Sequence, residues 1–456
     1  MNITREKIGP LTLVTVITER EIKITGAYME DFVPEMQAAL GATLSRDPGS
    51  IESRLKKIFG SKKISQRILD VYFKKYGHNS IGDMGNLIFS IEGSSMLGAF
   101  NLLEDQLFNG QEASTRYLDF GKMGYLPVSE KVDKHSKECM DIYSEVLESE
   151  MKKNTEVLGM LTKDAEPKAF DIAGSYLPIS ARTNVIWFGS IRTYIKKIRE
   201  LRSMGREEKE IGEAMSIIFD EICPNSQRDV GEDYLKDEIS FKKSMNELLM
   251  NESLVLFGKK PAEIVSFNGF NTAWFKSVTA THEKIHHISN LAMFGSISSS
   301  FDFDFRSARD IHRHRAFPVN TVVNWKPEGL ETFYYNQISS KVVRGKVLRL
   351  EGQLMKLFKE EGDNSIYGMP MAMKFKYIMS GPLNAWLYFL DLRSGPKVHP
   401  RVIKLTQNIG EIFEEELGLT DVYQRGNADY GLRSGDANKV WFFIQGICLG
   451  YIFFQK

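Results

Sequence analysis

Two segments of this chain each hold half of a pattern that the other lacks, so the fold must accommodate a duplicated unit. One segment is Glu104-Asp105-Gln106 followed by Gln111-Glu112-Ala113-Ser114-Thr115-Arg116-Tyr117. The other is Arg313-His314-Arg315 followed by Ala316 to Lys326. A shift of about 209 positions superposes them. His78 then falls on His287, Ser80 on Ser289, Glu104 on Arg313 and Gln106 on Arg315, while Ser114 and Arg116 fall on Val323 and Trp325. A second pair agrees: Leu177-Pro178 precedes Glu200-Leu201-Arg202-Ser203, and Met369-Pro370 precedes Asp391-Leu392-Arg393-Ser394. The spacing predicts two domains, residues 1–230 with the Ser-x-Arg-Tyr and 231–456 with the cationic triplet.

The 456 residues are ample for two cores. Acidic and basic residues are equal at 59 each. A binder held by phosphate contacts along a nucleic acid carries a basic surplus, so that class is disfavoured. Three widely separated cysteines (Cys139, Cys223, Cys448) and an N-terminus without an apolar signal core fit a reducing, cytoplasmic compartment. The apolar stretch Val440 to Phe454 is short for a bilayer and interrupted by Gln445. It reads as a buried terminal helix or an oligomer contact.

Periodicity predicts helices over 27–46, 51–76, 132–163 and 207–222, and strands over Leu87–Glu92, Arg182–Phe188 and Phe301–Phe305. A helix is expected over Ser307–Arg315, with Arg309 and Arg313 on one face and Asp310 and His314 on another. Residues 225–262 read as the junction between repeats. Strands and helices mix without a regular βαβ rhythm, which predicts an α+β fold. No glycine-rich phosphate loop occurs.

His282-Glu283-Lys284-Ile285-His286 satisfies H-E-x-x-H, a zinc hydrolase pattern. The extended form needs Gly and His where Ser289 and Ala292 stand, and no downstream Glu occurs before Glu328. No metal site is expected.

Two guanidiniums flanking a histidine form a fork for anionic or π-rich ligands. The alternative is a helix end decorated with cations against its macrodipole. Ser114 and Arg116, in a loop opened by Asn109-Gly110, suit a phosphate or an ordinary turn. Together these residues resemble the flavin-dependent thymidylate synthase family. Its signature is Arg-His-Arg, seven residues, then Ser-x-Arg-Tyr, preceded by Gly-His-x-Ser/Thr. Tyr76-Gly77-His78-Asn79-Ser80 matches the first element, Glu112 to Tyr117 the end of the signature, and Ser307 to Arg315 the triplet. The resemblance covers nearly the whole chain as two such domains in tandem, each expected to hold a mixed sheet with flanking helices.

By that resemblance Arg313, His314, Arg315 and Arg309 face FAD, with Ser80, Ser289, His78 and His287 adding to its pocket. Glu112, Ser114, Arg116, Tyr117 and Asn101 hold a pyrimidine nucleotide, dUMP in the family. Arg202 or Arg393 polarises the uracil, and Ser114 belongs to the catalytic set. The resemblance also implies methylenetetrahydrofolate as carbon donor, NADPH as reductant, and a homodimer mimicking the family's four-domain tetramer. The sequence departs from the family at two positions in both copies: the arginine four residues before the Leu-Pro proline falls at Gly174 and Ile366, and the Gln before the triplet at Asn101 and Asp310. The expected function is reductive methylation of dUMP to dTMP. Two alternatives stand beside it: a flavin- or nucleotide-binding relative without methylation, or modification of another pyrimidine, free or within a nucleic acid.

Overall fold

The computed structural model describes residues 2–44, 48–60, 79–226, 232–249, 257–268, 289–395, 398–419 and 422–423. The H-E-x-x-H stretch, His78, His287 and Val440–Phe454 lie outside them. Among the described residues no group of His, Cys, Asp and Glu is arranged to hold a metal ion. No described helix is long and apolar enough to cross a membrane. Cys139 and Cys223 are buried free thiols.

The chain forms two compact units, Met1–Asn251 with Ile338–Met371, and Glu252–Gln337 with Ala372–Lys456. These are not the sequence halves 1–230 and 231–456: residues 338–371 join the first unit.

In the first unit the strands are β1 (Ile3–Ile8), β2 (Leu11–Ile17), β3 (Lys23–Met29), β4 (Asn86–Ser95), β5 (Phe108–Glu112) and β6 (Arg182–Ser190). They make one sheet in the order β1-β2-β3-β4-β6-β5. The helices are α1 (Pro34–Thr43), α2 (Ile51–Gly60), α3 (Met96–Leu102), α4 (Glu130–Lys152), α5 (Thr162–Ala173), α6 (Ile191–Ser203), α7 (Arg206–Ile222) and α8 (Glu232–Leu249). Val14, Val16, Ile24, Phe89, Ile91, Val185 and Trp187 point from alternate strand positions into a core closed by Tyr194, Ile211, Met215 and Ile218. Strand alternation and helical spacing thus converge on one apolar layer.

The second unit holds β7 (Ala262–Asn268), β8 (Ser296–Asp304), α9 (Phe305–Ile311), β9 (Val319–Asn324), α10 (Thr332–Gln337), β10 (Lys374–Pro382), α12 (Leu383–Ser394) and α13 (Pro400–Leu417). The helix between, α11 (Lys341–Glu361), lies in the first unit. Its sheet runs β7-β8-β10-β9, the same plan as β3-β4-β6-β5. Ser95 pairs with Arg182 as Asp304 pairs with Lys374.

Every strand pair in the described residues is antiparallel. The expectation of a mixed sheet is therefore corrected, while the α+β class stands. Three further corrections concern elements. Residues 23–29 are strand, because Ile24, Gly26 and Tyr28 alternate with outward positions against β2, and the helix begins only at Pro34, whose fixed φ suits a first turn. The long helix expected over 132–163 ends at Lys152, followed by a wide turn over Lys153–Val157 and Gly159 at φ +63°. The junction 225–262 carries α8.

One contact in the first unit joins the two Pro-containing segments directly. Ile179 N–H donates to the Met369 carbonyl at 2.7 Å, and Met371 N–H donates to the Leu177 carbonyl at 2.8 Å. Pro178 lies opposite Pro370 in this bridge. A shift of 192 residues exchanges the two bonds, so the matching Pro segments meet as a local twofold pair.

Candidate functional site

In the second unit the site begins at Asp304, which ends β8 and caps α9 by accepting from Ser307 N–H at 2.9 Å. The expectation of a helix through Arg315 is corrected here: α9 ends at Ile311. Arg393 on α12 donates from Nη2 to the Asp310 carbonyl at 2.8 Å, the acceptor that a continued helix would offer to His314 N–H. His314 N–H bonds the Ile311 carbonyl instead, and the triplet lies in turns.

Those turns split the triplet. Arg313 and Arg315 are exposed, and Arg313 Nη2 lies 2.5 Å from Asp310 Oδ1. His314 faces inward at 7 % exposure. Its ring stands edge-on to Phe389 at 5.0 Å and 6.2 Å from Tyr388. Its Nε2 accepts from Arg393 Nε at 2.7 Å. Burial first, then the charges of Arg393 and Arg313, push the imidazole down to about 3, against the pull of Asp310. It is neutral at physiological pH, and the Arg393 bond assigns its proton to Nδ1. The structure thus joins Arg393, read from a separate motif, to the triplet. Arg309 lies half-buried on α9. Ser289 begins the short turn Ser289–Phe294.

The matching place in the first unit has been rebuilt with opposite charges. Asp105, at the His314 position, has a buried side chain 3.2 Å from Lys196 Nζ. Burial opposes its ionisation, but Leu107 N–H and the charges of Lys197 and Lys196 outweigh burial and hold it below the usual carboxylate range. Lys196 and Lys197 are the sixth and seventh residues of α6, where α12 has Tyr388 and Phe389. One copy therefore sets a neutral imidazole among aromatics, and the other a carboxylate among ammoniums. Lys197, 0 % exposed, donates to the Glu104 carbonyl at 2.8 Å and lies 2.9 Å from Glu200 Oε2.

A second charge exchange lies at the helix caps. Ser95 caps α3 in the first unit, and its N–H donates to buried Glu207 at 2.9 Å. Tyr367 O–H also donates to Glu207, at 3.1 Å. Gly98 is required beside it, because a Cβ there would lie 2.7 Å from the Glu207 carboxyl carbon. At the matching second position of α13 stands Arg401, 3.8 Å from Asp304 Oδ2 and 2.6 Å from Glu331 Oε2.

Asn101 Nδ2 donates to Glu208 Oε1 at 2.7 Å. Burial first, then the adjacent Glu207 charge, push Glu208 up to about 7. The raised value means that the fold favours the protonated acid. Its stabilisation is full below the ordinary carboxylate range and is lost as pH rises through neutrality. Glu208→Gln is therefore expected to raise stability at pH 8 by roughly 1–3 kcal/mol, with no gain at pH 4. Thermal unfolding at the two pH values checks it, and an equal effect at both would sink the account.

The loop expected to hold the nucleotide is an ordered turn after edge strand β5. Ser114 Oγ accepts from Arg116 N–H at 3.3 Å, and its carbonyl accepts from Tyr117 and Leu118 N–H. Glu112 accepts from Thr183 Oγ1 at 3.4 Å. Arg116 Nε lies 3.2 Å from Asp171 Oδ1 on α5, and Tyr117 is 66 % exposed. Ser80 is exposed in a single turn, Asn79–Gly82. In the second unit Trp325 packs against Phe375 and Phe305 instead. Arg202 is the twelfth residue of α6, whereas Arg393 is the eleventh of α12. The two arginines are rotated about 100° apart on their helices, and the buried Leu201 holds the Arg393 position.

Asp171, Lys197, Tyr388 and Phe389 escaped the sequence reading. Lys197 left a trace: it interrupts the apolar stripe Tyr194, Ile198, Leu201 on α6.

Guanidiniums gathered in turns beside the edge strands of antiparallel α+β units equip a protein to grip anionic ligands such as nucleotides. Residues 31–225 match the family described as Thymidylate synthase complementing protein. Over this segment the chain is similar to that family. The match contains Asn101, the Glu112–Tyr117 loop and Arg202, and ends before the triplet. A comparison with curated proteins gave no match.

Proposed function

We propose that the chain is a flavin-dependent enzyme of thymidylate synthesis, built from two tandem copies, that methylates dUMP reductively with methylenetetrahydrofolate, FAD and NADPH. The observation carrying this reading is the fixing of Arg393 by His314 and the Asp310 carbonyl, within the turns that expose Arg313 and Arg315. Tandem duplication is supported by the repeated sheet order and by the exchanged hydrogen bonds around Pro178 and Pro370.

The residues fit the implied cofactor. Two exposed guanidiniums beyond a helix end suit a pyrophosphate, and Arg309 and Ser289 lie on adjoining segments. When bound, the flavin supplies the redox chemistry. Arg393 offers a guanidinium to a pyrimidine carbonyl, and Arg116 with Ser114 a phosphate grip. The Glu104-Asp105-Gln106 turn offers no guanidinium to an anionic cofactor, so each chain is assigned one flavin. Assembly as a homodimer follows the family's sharing of sites between subunits.

A second reading, a nucleotide-binding relative without methylation, rests on Gly174 and Ile366 standing where the family carries an arginine. The two separate by assay. The purified protein is expected to show a flavin spectrum, one flavin per chain, a dimeric mass by light scattering, and turnover of dUMP. Arg315→Ala is expected to lose flavin affinity about tenfold to a hundredfold, the effect of one charge-assisted contact. Arg116→Ala should keep the flavin and bind dUMP more weakly in calorimetric titration. Full flavin in Arg315→Ala, or unchanged dUMP affinity in Arg116→Ala, removes the assignment; flavin without turnover selects the second reading.

A further inference from the structure

We propose that His314 is the positioning residue of Arg393, holding its guanidinium in place without itself holding the cofactor. This rests on the reading above and divides the triplet into two jobs: outer arginines for an anion, inner histidine for the pyrimidine-facing arginine.

Three observations carry it. The histidine is buried, and its ring is fixed by Phe389 and Tyr388, so it presents a rigid acceptor. Arg393 Nε points at that acceptor at 2.7 Å, while Nη2 binds a backbone carbonyl at 2.8 Å. Two bonds from one planar fork fix both its position and its tilt.

Both acceptors are uncharged. Elsewhere Arg5, Arg192 and Arg401 sit on carboxylates. These two bonds orient the guanidinium through neutral acceptors, an imidazole nitrogen and a carbonyl, as suits a group aimed at developing negative charge on a ring carbonyl. Depression of the imidazole by burial and by the flanking guanidiniums keeps the acceptor lone pair available.

The first unit lacks the device. Asp105 replaces the histidine, and buried Leu201 replaces the arginine on the helix. Arg393, and not Arg202, is therefore assigned to the pyrimidine.

Two variants test it. His314→Phe keeps a ring in the aromatic pocket and removes the acceptor; His314→Gln places an amide oxygen near the Nε2 position. Both are expected to retain flavin and a near-normal thermal midpoint. His314→Phe should lose about tenfold to a hundredfold in dUMP affinity or kcat, and His314→Gln should recover most of it. Loss of flavin in His314→Phe would make the histidine a cofactor contact and overturn the proposal. Equal failure of both variants, or no effect in either, would overturn it too. An arm independent of activity uses nitrogen NMR. The Arg393 Nε–H is expected to be protected from exchange in the native protein and in His314→Gln, and to lose protection in His314→Phe. If wild type binds neither flavin nor dUMP, the enzyme reading fails while this arm still decides the positioning. An unchanged Arg393 signal in His314→Phe rejects it.

Discussion

Arg401→Met is expected to destabilise the protein by about 3–5 kcal/mol at pH 8, the cost of stranding buried charge by removing its partner. Arg401 Nε lies 2.6 Å from Glu331 and 3.8 Å from Asp304, and its guanidinium covers the Phe303 ring at 5.1 Å. Methionine replaces the packing but leaves two carboxylates facing each other in a dry site. Asp304 is already pushed up to about 6, by burial first and Glu331 besides, with Arg401 opposing. Without the arginine Asp304 should take up a proton more readily still. The defect is thus greatest above pH 6 and shrinks toward pH 4, where the unfolded chain is also protonated. Urea unfolding at pH 4.5 and 8 reads both. A loss under about 1 kcal/mol at pH 8, or one independent of pH, would show that the arginine is not neutralising the pair.

Lys197→Met is expected to cost a similar amount, about 3–5 kcal/mol, through the first unit. Its ammonium lies within 2.9 Å of Glu200 and 2.8 Å of the Glu104 carbonyl, and it helps keep Asp105 ionised. Removing it leaves those half-buried acceptors and the buried Asp105 side chain without its charge. The partner experiment imports the other unit's solution: Asp105→His with Lys197→Phe should recover part of the stability lost by Lys197→Phe alone. Thermal midpoints of the single and double variants decide it. A double variant less stable than the sum of its singles would deny that Asp105 and His314 occupy equivalent places.

How far the sequence could be read depended on the distance over which each feature is decided. β4, β6 and β8 were legible because Leu87, Phe89 and Ile91, or Phe301 and Phe303, alternate locally. The α7 helix was legible for the same reason at helical spacing. β3 was not, because Ala27 to Met36 is rich in helix formers, and only pairing with β2 overrides that preference. The inward turn of His314 was beyond reach, since it depends on Arg393, 79 residues later. The motif was visible, but its split into two exposed arginines and an inward histidine was not. The destination of residues 338–371 was not legible, because an amphipathic stripe does not name the core that it buries against.

That last segment constrains how the chain comes to be folded. The first unit is closed by residues that leave the ribosome late. Ser180 N–H donates to the Tyr367 carbonyl, and Ser339 N–H donates to Glu150. The apolar stripe Val343, Val347, Leu350, Leu354 and Leu357 is buried in that unit. When residue 230 has been synthesised, the nascent first unit still lacks this helix and must wait with part of its core uncovered. Sequence separations near 190 residues raise contact order and slow the closing step. Residues 338–371 thereby act as an assembly partner supplied in cis. Truncation, permutation or a premature stop between 230 and 371 should yield chaperone-bound or aggregated protein rather than a free-standing first half.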